Sequence, residues 1–256
     1  MPTADSTAVA TTGYHVNDLV AAQEVPEVER TTWTLDPLQR FHEQDTFAWV
    51  NGAWANSTES LNHYDGDGDE PSWIAEDLTQ PDKVSRYVEG ADGNIAVQTA
   101  KTGGRVLQLV DLHGDITATL PIPDDQPNAD YTTLTRTAFD EFGVPQPLTS
   151  GATSNAPPAR YGWLGAAQRS ADTPTGTILM GVRLYTPTLG RFLQVDPVPG
   201  GSANAYDYCN ADPINCTDLG GTFSWRGLVK AAAVVGEIAS WIPGPIGTAA
   251  GSVDTA

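Results

Sequence analysis

The chain has 256 residues, enough for one large or two ordinary domains, and a hydrophobic share of 40% that can supply a core. Thirteen Lys and Arg against 32 Asp and Glu leave a formal charge of -19, which repels phosphate backbones and anionic headgroups and excludes nucleic acid as an expected partner. No membrane span is expected: a helix needs roughly 20 apolar residues to cross a bilayer, whereas the nearest run, residues 228–242, is shorter and holds Lys230 and Glu237.

At the N-terminus, Met1-Pro2-Thr3-Ala4-Asp5 shows neither the basic nor the apolar region of a secretory leader. The first thirty residues, rich in Thr, Ala, Val and Glu, read as the middle of a repeat unit. A degenerate repeat then recurs at residues 35–41, 64–68, 90–95, 111–116, 139–144 and 185–192, each an aromatic or apolar residue, a turn and, in most copies, a glycine. The physical reason is local. An Asp such as Asp36, Asp111 or Asp140 bonds the backbone amides that follow it, and a glycine such as Gly114 or Gly143 takes a positive φ that a side chain would strain.

After each turn the pattern switches to period two, the mark of a strand. Ile116, Ala118 and Leu120 face one way with Thr117 and Thr119 opposite, and Ile178, Met180, Val182 and Leu184 are expected to share a face. Antiparallel hairpins are therefore predicted, with almost no helical periodicity before residue 225. Short strands alone favour an ordinary antiparallel sandwich over a repeat shell. Residues 121–128 and 145–160, rich in Pro, Gly, Ser, Asp and Asn, read as surface loops. Near the C-terminus, Ser224 is placed to cap a short helix over residues 226–241, ended by Pro243-Gly244-Pro245.

Three groups of residues invite a chemical reading. Asp65, Asp67, Asp69 and Glu76 fall at positions one, three, five and twelve of a calcium loop, which makes them candidate metal ligands. Glu70 stands where that loop needs its sharp-turn glycine, and an acidic hairpin tip explains the same residues. Cys209 and Cys216 flank the turn-forming Asn210-Ala211-Asp212-Pro213 and read either as a disulfide or as two small buried thiols. Their spacing fits no zinc pattern, and His15, His42, His63 and His113 are not clustered around them. Trp33, Trp49, Trp54 and Trp73 suggest a glycan-binding face or, more simply, repeat packing. No Gly-x-Ser-x-Gly elbow or phosphate loop is present, so hydrolase and nucleotide chemistry have no sequence support.

The most specific stretch is residues 161–221. It runs from Tyr161-Gly162-Trp163-Leu164-Gly165 through Tyr185-Thr186-Pro187-Thr188-Leu189-Gly190-Arg191-Phe192 and Asp196-Pro197 to Asn210-Ala211-Asp212-Pro213 and Asp218-Leu219-Gly220. In that order these elements resemble the core that ends the repeat shell of the Rhs, or YD-repeat, proteins, a family of large bacterial polymorphic toxins and wall-associated proteins. The resemblance implies a mainly β fold in which antiparallel hairpins wind into part of a hollow shell. It divides the chain into degenerate repeats (1–160), core (161–221) and the start of a truncated pre-toxin tail (222–256).

It further implies an exported or cell-surface parent protein. Its expected partners are an N-terminal repeat shell, its own C-terminal toxin segment and, in adhesive members, the cell wall. Some family members also cut their own chain just after the core with a pair of aspartates, which share one proton so that one activates water while the other donates. Here Asp196 and Asp218 match that pair, and Arg191 is the arginine nearest to the first of them. Asp207, between the two, is a third candidate. Asp218 lacks the Pro that should follow it, and both aspartates read equally as turn-formers. No organic cofactor is expected, and calcium enters only through the acidic loop.

Overall fold

The computed structural model describes residues 10–90, 95–99, 104–123, 131–148, 160–199, 202 and 204–222. The helix expected at residues 226–241 lies outside them, as does most of the turn unit at 90–95.

The described chain is built from strands and short 3-10 turns. Strands β1 (Thr11–Tyr14), β2 (Val20–Val25), β3 (Glu29–Leu35), β4 (Phe41–Val50), β5 (Ala53–His63) and β6 (Trp73–Ala75) are followed by β7 (Val84–Glu89), β8 (Ile95–Thr99), β9 (Gly104–Val110), β10 (Ile116–Ile122) and β11 (Thr135–Arg136). These form one sheet of 11 strands in strict sequence order, every neighbouring pair antiparallel. A second sheet holds β12 (Ile178–Met180), β13 (Arg183–Thr186) and β14 (Arg191–Phe192). Among the described residues no helix is long and apolar enough to cross a membrane.

Three of the repeat units fold by one mechanism. Asp36, Asp111 and Asp140 each use Oδ1 to accept the amides two and four residues on, at 2.8–3.0 Å. The residue three positions on, Gln39, Gly114 or Gly143, takes a left-handed φ of 66°, 93° or 86°. An Asp that caps its own turn in this way directs the chain back antiparallel, so a sheet in sequence order follows from the sequence. Hairpin β4–β5 uses another route, an Asn51-Gly52 turn with both residues at positive φ.

Period-two reading holds for β10, where Ile116, Ala118 and Leu120 are buried and Thr117 and Thr119 half-buried. Strand β10 continues through Pro121 and Ile122, past the point where a loop is expected; β11 pairs only Ala118 and Thr119, so Pro121 leaves no amide missing from that pairing. Residues 178–184 are not one strand. Gly181, at φ 55°, turns them into hairpin β12–β13, so Leu184 pairs with Leu179 and lies on the face opposite Ile178 and Met180.

That hairpin gives β12 and β13 two buried faces. One carries Ile178, Met180 and Tyr185 into a cluster with Trp163, Leu164, Phe192, Tyr208 and Cys209. The other carries Leu179 and Leu184 onto Val20 and Trp33 of the large sheet. Burying a side chain of that size is worth about 1.5–3 kcal/mol, so the second face is an apolar tie between residues 161–222 and the hairpins before them, alongside Tyr161 on Tyr87.

Candidate functional site: a buried aspartate pair around Arg183

Arg183 stands on β13 with its side chain 1% exposed. Its Nη2 donates to Asp196 Oδ2 at 3.1 Å and to Asp218 Oδ2 at 2.8 Å. Nη1 donates to the Ala205 carbonyl at 3.3 Å, and the guanidinium lies 3.6 Å from the centroid of the Phe192 ring. Each aspartate also holds a turn through its other oxygen: Asp196 Oδ1 accepts the Val198 amide at 2.8 Å, and Asp218 Oδ1 accepts the Thr222 amide at 3.0 Å. Asp218 therefore keeps the bond to the amide four residues on, with Gly221 at φ 61° three residues on, and gives its second oxygen to Arg183 as Asp36 does to Arg40.

Two ionised carboxylates and one guanidinium leave the cluster one negative charge in excess. Burial pushes the Asp218 carboxyl above the usual aspartate range, against the pull of Arg183. The chain that follows is held against the cluster. Val182 N–H donates to the Gly220 carbonyl at 3.2 Å, and a Cβ on Gly181 would lie 2.1 Å from that oxygen. A Cβ on Gly221 would lie 2.4 Å from the Met180 carbonyl. Glycine is required wherever backbone meets backbone this closely.

Arg191 is not part of this arrangement. It is exposed, pairs through its backbone with Asp207 and stacks 4.8 Å from the Tyr206 ring centroid. The arginine between the two aspartates is Arg183. Its signal in the sequence is a lone cation inside the otherwise apolar residues 178–185, a pattern that buries a charge only when partners await it.

The four candidate calcium ligands are not drawn together. Asp69 accepts both Arg169 terminal nitrogens, at 2.6 and 2.8 Å, while Glu76 takes a bidentate bond from Arg160, at 2.7 and 2.6 Å, and a further bond from Ser85. Asp65 and Asp67 are exposed at the hairpin tip, where Arg40 bonds the Gly66 and Gly68 carbonyls. Oxygens already neutralised by arginines are poor cation ligands, so the loop works as an acidic tip clamped to the rest of the fold. The tryptophans are dispersed: Trp33 is buried, Trp49 packs edge-on against Trp54, and Trp73 stacks on His63. Cys209 and Cys216 are joined as a disulfide.

No protein-family model matches the chain. Among curated proteins, the tRNA3(Ser)-specific nuclease WapA of Bacillus spizizenii is 27% identical over 171 residues, 65% of this chain and 7% of that protein. Among solved structures, the crystal structure of TcdB2-TccC3-TEV aligns with a TM-score of 0.57 at 13% identity, covering 83% of this chain and 10% of that one. The crystal structures of TcdB2-TccC3 and TcdB2-TccC3-Cdc42 align over the same shares with a TM-score of 0.55. The fold is the mainly β, antiparallel one that these solved chains share. The chain spans only a tenth or less of these proteins' lengths, about 7% of the curated relative and 10% of the solved chains.

Proposed function

We propose that this chain is the C-terminal shell and core segment of an exported Rhs/YD-repeat polymorphic toxin, whose work is to enclose and present the polypeptide that follows it. The observation that carries this reading is the seating of Leu179 and Leu184 on Val20 and Trp33, which fastens residues 161–222 to a sheet of hairpins in sequence order. A sheet whose edges are covered or joined exposes few unpaired amides and suits containment. The test fuses a passenger after Ala256 of the parent protein and follows its digestion by added protease. Protection that disappears when residues 161–222 are deleted supports the reading; protection that survives the deletion overturns it.

A second reading is favoured by the Asp196–Arg183–Asp218 cluster: a core that cleaves its own chain once. Buried carboxylates sharing a proton suit water activation, and Gly220 and Gly221 run directly beside them. In this reading Asp196 and Asp218 divide the roles of base and acid, and Arg183 holds them at one nitrogen. The intact mass of the purified chain decides it. A single break near Gly221 that Asp196→Asn and Asp218→Asn abolish is expected; an unbroken wild-type chain rules the activity out.

A further inference from the structure

We propose that His113 is a proton-operated clasp, holding the disulfide loop between Cys209 and Cys216 against the large sheet and releasing it on deprotonation. His113 sits in the Asp turn between β9 and β10. Its Nδ1 lies 3.0 Å from Asp115 Oδ1 and its Nε2 lies 3.1 Å from the Pro213 carbonyl. A carbonyl oxygen has no proton to give, and a carboxylate only accepts. Both contacts therefore form together only when a proton is held between the ring and Asp115 in addition to the one on Nε2, as in the imidazolium.

Removing that proton breaks one contact, and the geometry selects which. Asp115 is fixed independently: its Oδ1 also accepts the Leu164 amide at 2.8 Å, and its own amide is bonded to Asp111 at 3.0 Å. The neutral ring keeps its N–H toward this anchored carboxylate, and Nε2 then turns a lone pair on the Pro213 oxygen. The loop end is the one released. With Cys209 and Cys216 tied together, the motion is limited to the residues between them.

The charged groups that act most strongly on the ring are acidic, while Arg169 is the cation that acts on nearby Tyr208. Asp111 and Asp115 lie on its own turn, and the Trp163 ring packs 5.8 Å away. On the loop, Asp212 is occupied by the Asn215 side chain at 2.9 and 3.0 Å. The Tyr208 hydroxyl stays protonated because burial pushes its pKa up. Burial alone lowers the pKa of His113, but the bond and charge of Asp115, the Pro213 carbonyl and Asp111 outweigh it and raise the pKa above the ordinary 6.5. The sign follows from linkage: the clasp contributes fully below 6.5 and is lost as pH rises through the higher folded value.

The disulfide loop leads within two residues to Asp218, so the clasp also steadies the chain entering the aspartate cluster. That consequence rests on the self-cleavage reading, whereas the clasp does not, because ring titration reports the clasp and intact mass reports cleavage.

The experiment is an NMR titration of the His113 ring nitrogens in the whole chain, with hydrogen exchange of the loop amides at each pH corrected for intrinsic rate. Expected are two protonated ring nitrogens at acid pH and a midpoint above 6.5. Loop exchange should rise across that midpoint, because the bond to the Pro213 carbonyl is lost with the proton. In Asp115→Asn, which keeps an oxygen for the Leu164 amide, the midpoint falls. A wild-type midpoint at or below 6.5, a single ring N–H at acid pH, or loop exchange that ignores the titration overturns the proposal.

Discussion

Arg183 donates to Asp218, 35 residues further along the chain, at 2.8 Å, and both side chains are almost wholly removed from solvent. The same nitrogen reaches Asp196, 13 residues on, at 3.1 Å. One cation thus gathers the hairpin β12–β13, the segment after β14 and the last described turn.

Replacing Arg183 by Met removes the only cation bonded to either carboxylate among the described residues and leaves both buried. Breaking a buried pair in this way costs about 3–5 kcal/mol, because the remaining charge has no compensation. Urea unfolding should show the loss, and Asp218→Asn combined with Arg183→Met should recover part of it. A double variant no more stable than the single one would show that the aspartates carry little charge in the folded chain.

Gly181→Ala and Gly52→Ala separate close packing from backbone strain. Both glycines have positive φ, 55° and 83°, so both substitutions pay a left-handed penalty of about 1–2 kcal/mol. A Cβ at residue 52 meets nothing within 4 Å, whereas one at residue 181 collides with the Gly220 carbonyl. Thermal unfolding should therefore place Gly181→Ala well below Gly52→Ala. Equal melting temperatures would mean that the chain at Gly220 is free to move away.

Asp218 and Asp36 should give opposite pH dependences. Burial, opposed by Arg183, raises the Asp218 carboxyl above 3.8, so the folded state binds its proton more tightly than the unfolded state. Stability from this group is greatest at low pH and falls as pH rises from 3.8 through the folded value. Asp36 is also pushed up by burial, but the bonds and charge of Arg40 and the Leu38 amide outweigh this and hold it below 3.8. Its contribution is present above 3.8 and fades as pH falls through the folded value. Comparing Asp218→Asn and Asp36→Asn with wild type across acid pH by denaturant unfolding checks both slopes; slopes of one sign would contradict the assignment.

Much of the fold was legible because its instructions are local. In Asp36, Asp111 and Asp140 the acceptor and the amides it bonds are at most four residues apart, so a turn can be read without knowing what surrounds it. Strand β10 was legible for the same reason, since alternation needs only one buried face. The same reading failed at residues 178–184, where Gly181 looks like another small residue in an alternating run. It turns there because glycine takes the left-handed φ of 55° and leaves room for the Gly220 backbone packed against it.

The candidate site divides along the same line. Asp196 and Asp218 stand out in the sequence because each begins a turn, a property visible in its own neighbours. That they meet at Arg183, while Arg191 points to Tyr206, is settled by the hairpin that carries Arg183 inward between two buried faces. The sequence by itself determined the turns, the hairpins and the two aspartates, because hydrogen bonds over a few residues need no distant partner. Only the tertiary structure decided which cation those aspartates share, which arginines occupy the acidic loop and that His113 reaches Pro213, because ion pairs between distant segments are selected by packing and not by spacing along the chain.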